Sequence, residues 1–391
     1  MEPSLRLKEF STYAFAEVDK AKDDARSSGF RILDFGVGDP TEPLYEGAIR
    51  GIQSGAEKHK SSGYPSYIGM KEFRASAAEW INRRFGVAVN PQTQVTTTAG
   101  SKEAVFHLPF AFINPGDGVL MPSIGYPPYK AGTVFAGGTP EFYQLKEENN
   151  FLPDLGEIEA TLERNKRIKI MWINYPNNPT TVMANDKILR GIVDLSSKYG
   201  FMIASDEAYT EMYINERPHS VLEYAQDLSN LIVLQSLSKR SNATGIRLGF
   251  AVGGEGIIGS YRKLRTQIDS GVANAIQEAG VAALQDETHV GKMRELYDKK
   301  RDVITGALRE KGIKYWAEST FYIWAKTGPG SIEFAKRMLR LDEANKTGIN
   351  VTPGGMLAIG DAPNANNYVR FALVPSLEET QLAAEMIRDH L

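Results

Sequence analysis

A chain of 391 residues with 45 Lys and Arg against 48 Asp and Glu carries a net charge of −3, so no basic surplus marks it for nucleic acid or an anionic membrane surface. Its 42% hydrophobic and 24% charged residues describe a globular chain, long enough for two domains, and neither a disordered nor a fibrous one. The absence of cysteine excludes disulfides and thiolate chemistry and fits a reducing, cytoplasmic compartment; the start M-E-P-S-L-R-L-K-E-F has no signal-like apolar core, and no run of about 18 apolar residues is present to cross a membrane.

Residues up to about Phe30 have a charged, helical pattern and lead into R-I-L-D-F, a short strand that ends at Gly36-Val37-Gly38-Asp39-Pro40. Two readings of Gly38 stand: a turn that needs positive φ, or a backbone amide exposed to a ligand. A turn-rich loop around Tyr64 follows. From Met70, Phe73, Ala77, Trp80, Ile81 and Phe85 recur at helical spacing, which predicts an amphipathic helix with Trp80 in the core. From Val95 to about Val252 apolar strands at 95, 119, 168, 201, 231 and 248 alternate with helical patterns such as Ile188 to Tyr199. Such alternation predicts an α/β fold with a mainly parallel sheet covered by helices on both faces. Beyond Val252 the pattern predicts one long helix, roughly Ile257 to Leu284, then a helix from Val290 to Lys311. F-Y-I-W-A, a helix from Ser331, a strand near Ile349 and N-Y-V-R-F-A-L-V complete a smaller α+β domain. The expected division is 1–40 as a segment joining the small domain, 41–275 as the large domain and 276–391 as the small one.

In parallel sheets ligands gather at the carboxyl ends of the strands, so the polar residues there should share a chemistry. After the strand at 95 come Gly100, Ser101 and Lys102, a glycine turn and a helix start able to hold an anion. After the strand at 168 comes the rigid turn N-Y-P-N-N-P-T with Asn178. After the strand at 201 come Asp206, suited to pair with a protonated ring nitrogen, and Tyr209, suited to donate to a phenolic oxygen. After the strand at 231, Lys239 lies among Ser236, Ser238 and Thr244, with Arg247 eight residues on. A desolvated amine there is a Schiff-base nucleophile, and hydroxyls with a guanidinium make a phosphate socket. Together they suggest pyridoxal 5'-phosphate. Each piece has a bland counterpart: Lys239 as a solvated loop lysine, Gly100 as a turn, Asn178 as an Asx cap, Asp206 as a helix cap. Their succession at strand ends outweighs these. Arg370, mid-strand among apolar residues, needs an anionic partner, either a protein carboxylate, which strand context slightly favours, or a substrate's.

With N-Y-P-N-N-P-T, S-D-E-A-Y, S-L-S-K and Y-V-R-F in place, the chain resembles the fold type I pyridoxal-phosphate aminotransferases over essentially its full length. G-V-G-D-P-T-E-P, Y-P-S-Y-I-G-M, G-S-K-E and F-I-N-P-G-D are most similar to the LL-diaminopimelate and N-succinyl-diaminopimelate enzymes. The resemblance implies that Lys239 is the Schiff-base lysine and general base, that Asp206 partners the pyridinium, and that Tyr209 and Asn178 donate to the phenolate oxygen. It implies a phosphate cup of Gly100, Ser101, Lys102, Ser236, Ser238 and Arg247, and Tyr126 stacked on the ring. Arg370 with the Gly38 backbone then clamps the substrate carboxylate, and Tyr64 reaches the phosphate of the neighbouring subunit, so that a homodimer shares its sites. Thr181 stands where the family has glycine, so its turn must either avoid positive φ or bear a cost. Tyrosine 126 stands where many relatives have tryptophan.

The implied reaction moves an amino group from an L-amino acid to a 2-oxo acid, 2-oxoglutarate, by ping-pong kinetics. Diaminopimelate, and so lysine biosynthesis, is the expected context; aspartate or aromatic donors are the alternative, and a pyridoxal-phosphate β-lyase the alternative of another class. Gly254-Glu255-Gly256-Ile257-Ile258-Gly259 with Glu278 beyond it spells a dinucleotide fingerprint, but the fingerprint needs a second strand where an unbroken helix is expected. A regulator would need a DNA-binding domain for which no stretch is left. No metal is expected, because His59, His107, His219, His289 and His390 lack paired ligand spacing.

Overall fold

The computed structural model describes residues 2–10 and 13–391. Its strands are β1 (Arg31–Phe35), β2 (Val95–Thr98), β3 (Gly118–Pro122), β4 (Thr139–Tyr143), β5 (Ile168–Ile173), β6 (Met202–Asp206), β7 (Leu231–Ser236), β8 (Gly249–Gly253), β9 (Tyr315–Trp316), β10 (Tyr322–Lys326), β11 (Thr347–Pro353) and β12 (Tyr368–Ala372). They form a seven-stranded sheet in the order β2-β8-β7-β6-β5-β3-β4 and a five-stranded sheet in the order β1-β11-β12-β10-β9.

The large sheet is parallel except for β8, which runs against both β2 and β7. The period of two along β7 explains why helices must cover it twice. Leu231 and Val233 enter one core with Phe73, Trp80 and Phe250, while Ile232 and Leu234 enter the opposite core with Val105, Leu108 and Ile258. The helices supply matching stripes: Lys71–Phe85 buries Phe73, Ala77, Trp80 and Ile81 and stops at Gly86, whose φ of 72° is left-handed. Asp186–Tyr199 starts at Asn185, whose side chain accepts the Ile188 amide, and stops at Gly200 with φ 73°.

The reversal of β8 matters for the site. Its amino end lies at the same edge as the carboxyl ends of β2, β5, β6 and β7, so Arg247, two residues before Gly249, joins the residues that follow those strands.

One strand escapes the sequence reading and one expectation fails. The strand β4, T-P-E-F-Y, is an edge strand that is only half buried and holds Pro140, so its pattern is too polar to read as a strand. The helix expected from Ile257 to Leu284 is two helices, Glu255–Arg265 and Asn274–Gln285. Between them Gly271 has φ 86°, and a Cβ there would stand 2.3 Å from the Ser66 carbonyl, so the chain turns where the polar sequence gave no breaker other than one glycine. The dinucleotide reading fails all the same, since Glu278 sits on the second helix, paired with Lys58 at 2.7 Å and His59 at 2.9 Å.

The five-stranded sheet gathers β1 and the C-terminal strands around a separate core of Leu33, Phe35, Ile323, Ile349, Val369 and Phe371, closed by the helices Thr288–Glu310 and Leu377–His390. Arg370 is the middle residue of β12, between β11 and β10, with Thr352 opposite on one side and Trp324 on the other.

Candidate active site

At the end of β7, Ser236 leaves the strand with extended φ of −132°, and its hydroxyl accepts the Ser238 amide at 3.2 Å. That cap starts the single helical turn Leu237–Arg240, which aims Lys239 across the sheet edge. Lys239 Nζ donates to the Gly38 carbonyl at 2.7 Å and lies over the face of Phe321 at 5.3 Å. Burial lowers its pKa to about 8; the charges of Arg370 and Arg247 push the same way, and Asp39 and Asp206 oppose them. An amine with that value is substantially neutral near pH 8, as a nucleophile must be.

Asp206 ends β6 with only 5% of its surface exposed. Tyr129 Oη donates to its Oδ2 at 2.9 Å, whereas Oδ1 is buried with no hydrogen-bond partner among the described residues. Burial raises the carboxyl pKa to about 6, against the pull of the Tyr129 hydroxyl, the Ala208 amide and Lys239. An orphaned buried carboxylate oxygen is costly and is satisfied by a cationic N–H donor.

After β5, Asn174 ties the neighbouring loops together: its Nδ2 donates to the Asp206 carbonyl at 2.7 Å and its Oδ1 accepts the Asn178 amide at 2.9 Å. Arg370 Nη1 donates to Asn178 Oδ1 at 2.8 Å. Because guanidinium only donates, the Asn178 oxygen must face it, and the Asn178 NH2 is the end left to donate into the cavity. Thr181, deeper in the same turn, has φ 69°, so the chain bears the cost of a β-branched residue in the left-handed region, about 1–2 kcal/mol. The Asn177 carbonyl accepts the Thr181 amide at 2.9 Å, and Thr181 Oγ1 accepts the Glu318 amide at 3.1 Å, which anchors the turn to the β9–β10 connection of the five-stranded sheet.

Arg370 is 7% exposed and finds only neutral protein partners: Asn178 Oδ1, the Gly36 carbonyl at 2.9 Å, Thr352 Oγ1 at 3.4 Å and the ring of Tyr322, 4.3 Å away. Among the described residues no protein carboxylate pairs with it, which overturns the preference for such a partner. Gly38 is fixed by close approach rather than by a left-handed turn, for a Cβ there would stand 2.0 Å from Tyr322 Oη.

At the other end, Gly100 with φ 76° starts the helix Ser101–Phe112, and a Cβ on it would stand 2.5 Å from Arg247 Nη2. Arg247 has φ 52° and anchors its guanidinium on the Thr244 carbonyl at 2.8 Å and the Ala99 carbonyl at 3.4 Å, with Ser238 Oγ at 3.5 Å. Helix amides, hydroxyls and guanidinium thus surround one small space, a ready anion cradle. Ser101, Lys102, Tyr126, Ser236 and Ser238 line the same cavity of about 740 Å³ as Lys239, Asp206, Tyr209, Asn178, Gly38 and Arg370. Tyr64 is elsewhere, 91% exposed and outside the cavity of its own chain.

Three cavity residues escape the sequence reading. Tyr129, buried and stacked on Trp172 with centroids 5.0 Å apart, stands three residues after Tyr126 in G-Y-P-P-Y, a spacing that signals one helical face. Tyr322 and Leu357 carry no local signal; Tyr322 reaches Arg370 through strand register, diagonal to it across β10 and β12.

These residues fit pyridoxal 5'-phosphate. The orphaned Asp206 oxygen matches a protonated ring nitrogen, the cavity wall of Ser101, Lys102, Ser236, Ser238 and Arg247 a phosphate, and the depressed Lys239 amine an aldehyde. Fold and site therefore define a fold type I pyridoxal-phosphate transferase. The model of the family "aminotransferase class I and II" matches residues 31–387, and the chain belongs to that family. It is similar to the LL-diaminopimelate aminotransferase of Aquifex aeolicus, 42% identical over 99% of each chain, and to that of Halothermothrix orenii, 40% identical over 100% of this chain and 98% of the other. Apo-BacF of Bacillus subtilis superposes with a TM-score of 0.90 at 27% identity, covering 100% and 99% of the two chains. A probable N-succinyldiaminopimelate aminotransferase of Thermus thermophilus gives 0.87 at 28%, covering 97% and 100%. The protein is a pyridoxal-phosphate-dependent aminotransferase.

Proposed function

We propose that this aminotransferase exchanges an amino group between LL-diaminopimelate and 2-oxoglutarate, with the succinylated compound as the next candidate donor, and acts in lysine biosynthesis in the cytoplasm. What carries the reading of the site is the convergence on one cavity of a depressed amine, an orphaned carboxylate and a buried guanidinium with no carboxylate partner among the described residues. The choice of donor is supported by the full-length similarity to LL-diaminopimelate aminotransferases.

When bound, pyridoxal phosphate supplies the electron sink that makes the substrate α-proton removable. Arg370 Nη1 and Nη2 orient the substrate by its α-carboxylate, beside the Gly38 backbone. Lys239 Nζ would take the α-proton and return one on the same face, a positioned transfer that typically contributes about 10² to 10⁴ in rate. Asp206 Oδ1 would hold a proton on the ring nitrogen, Asn178 Nδ2 and Tyr209 Oη would donate to the phenolic oxygen, and Tyr126 would cover the ring. Gly100, Ser101, Lys102, Ser236, Ser238 and Arg247 would hold the phosphate. We assign 41–275 to the cofactor-binding domain and 276–391 to the small one, which residues 1–40 join; the place of β1 in the five-stranded sheet supports this.

The exposure of Tyr64 suits a side chain that serves the partner's site in a homodimer. Mixing Tyr64→Phe with Lys239→Ala protein should then give hybrid dimers with one intact site; no regained activity in demonstrated hybrids sinks the sharing. For the donor, a panel of amino acids with 2-oxoglutarate should give LL-diaminopimelate the highest kcat/KM. Aspartate, alanine or an aromatic donor well above it would remove the substrate assignment and leave the aminotransferase in place.

A further inference from the structure

Tyr322 sits in the cavity wall, 2% exposed, and touches several groups of the site at once. Its Oη lies 3.1 Å from Tyr209 Oη, its ring carries the Arg370 guanidinium at 4.3 Å, and its hydroxyl fills the space a side chain at Gly38 would need. Among the described residues Tyr209 is the only hydrogen-bond partner of that hydroxyl.

Each phenol has one proton, so in the pair one must donate and the other accept. Tyr209 has its pKa raised well above the ordinary value by burial, with Tyr322 beside it adding to the rise, so it is a neutral donor. If it gives its proton to the cofactor's phenolic oxygen, that proton is no longer available to Tyr322. The bond between the two hydroxyls can then survive only if Tyr322 is the donor and a Tyr209 lone pair the acceptor.

We infer that Tyr322 is a positioning residue which, by donating to Tyr209, points the Tyr209 proton at the cofactor's phenolic oxygen while its ring holds Arg370 flat for the substrate carboxylate. The inference rests on the reading of Tyr209 as a donor to that oxygen. A chain of two hydroxyl donors polarises the second, so Tyr209 becomes a better donor than it is alone. The hydroxyl serves the cofactor and the ring serves the substrate carboxylate, and two substitutions separate them.

The test uses cofactor-loaded protein and the near-visible titration of the cofactor linked to Lys239. A hydrogen bond to the phenolic oxygen stabilises its negative charge and weakens its hold on the nearby nitrogen's proton, so losing the bond raises the titration midpoint. Tyr209→Phe should raise it most. Tyr322→Phe should raise it by about 0.4 to 1 pH unit, the effect of one neutral hydrogen bond, and leave the donor KM within about twofold. Tyr322→Leu should raise the midpoint by the same amount and also raise KM several-fold, because the face under Arg370 is gone. If Tyr209→Phe leaves the midpoint unmoved, the reading of Tyr209 fails. If Tyr209→Phe moves it and Tyr322→Phe does not, the inference about Tyr322 is overturned. Equal KM for the Phe and Leu variants overturns the role of the ring.

Discussion

Replacing Arg370 by glutamine should separate folding from function, because the guanidinium is a buried charge that the protein itself leaves unneutralised. On the folding side, three hydrogen bonds to Asn178, Gly36 and Thr352 are weakened or lost, about 1.5–3 kcal/mol for each strong one to a charged group. Against that stands the relief of a desolvated cation with a buried Nε that has no partner among the described residues, several kcal/mol in the other direction. The two nearly cancel, so thermal stability should change little. On the functional side nothing cancels. Truncating one partner of a buried, hydrogen-bonded charge pair costs about 2–5 kcal/mol, which is roughly 30- to several-thousand-fold in kcat/KM. Arg370→Lys keeps the charge without the fork and should fall between. The assays are steady-state kinetics with several donors and 2-oxoglutarate, and thermal melting of the cofactor-loaded protein. The reasoning is refuted if kcat/KM for every donor stays within threefold of wild type, or if the loss of activity tracks a matching loss of folded protein.

Lys239→Ala should abolish the borohydride-stable attachment of the cofactor, and in wild type the rate of attachment should rise with a midpoint near pH 8; Arg370→Gln should move that midpoint upward, since Arg370 lowers the lysine's pKa. A midpoint above 10 would contradict the desolvated amine. Asp206→Asn should cut turnover sharply, yet stabilise the cofactor-free protein at neutral pH. The folded pKa of about 6 lies above the unfolded value of 3.8, so the folded state holds the extra proton between them, and wild type loses roughly 3 kcal/mol of stability as pH rises through that window. A melting difference between the two proteins that does not grow from pH 4 to pH 7 would remove the burial argument. At position 181, Thr181→Ala loses the bond from the Glu318 amide but keeps a Cβ at φ 69°, whereas Thr181→Gly also relieves the backbone. Glycine should therefore melt above alanine by about 1 kcal/mol in stability; equality would mean the turn is not strained.

How much of this is legible in the sequence follows from the range of each cause. Ser236, Ser238, Lys239 and Arg247 lie on one β7–β8 connection, and Asp206 and Tyr209 on one strand end, so short spacings place them. The alternation of apolar strands with helices, as where Asp186–Tyr199 joins β5 to β6, is equally local and yields the parallel sheet. Arg370 can be read as anomalous, because a cation amid apolar strand residues is anomalous anywhere. Its partners cannot, since Asn178 and Gly36 meet it only through two different sheets. Tyr322 is hidden for the same reason: in Y-I-W-A it reads as one more apolar strand residue, and only the register of β10 on β12 turns its face to Arg370. The edge strand β4 and the break at 266–273 are lost because few side chains are buried there to set a period.

The reversal of β8 has a consequence for how such a protein diversifies. Lys239 and Arg247 sit on the two limbs of one hairpin whose strands are locked in register from Ile232 with Gly253 to Ser236 with Gly249. That hairpin is a ruler: it fixes the span between the amine proposed to take the aldehyde and the guanidinium proposed to take the phosphate, and one inserted residue would offset them by about 3.4 Å. The gauge is cut wholly in the seven-stranded sheet. Arg370, Tyr322 and the strap around Gly38, the proposed substrate side of the cavity, belong to or lean on the five-stranded sheet instead. Changes in side-chain preference can thus accumulate in one sheet while the calibration of the cofactor, held by the other, is left untouched.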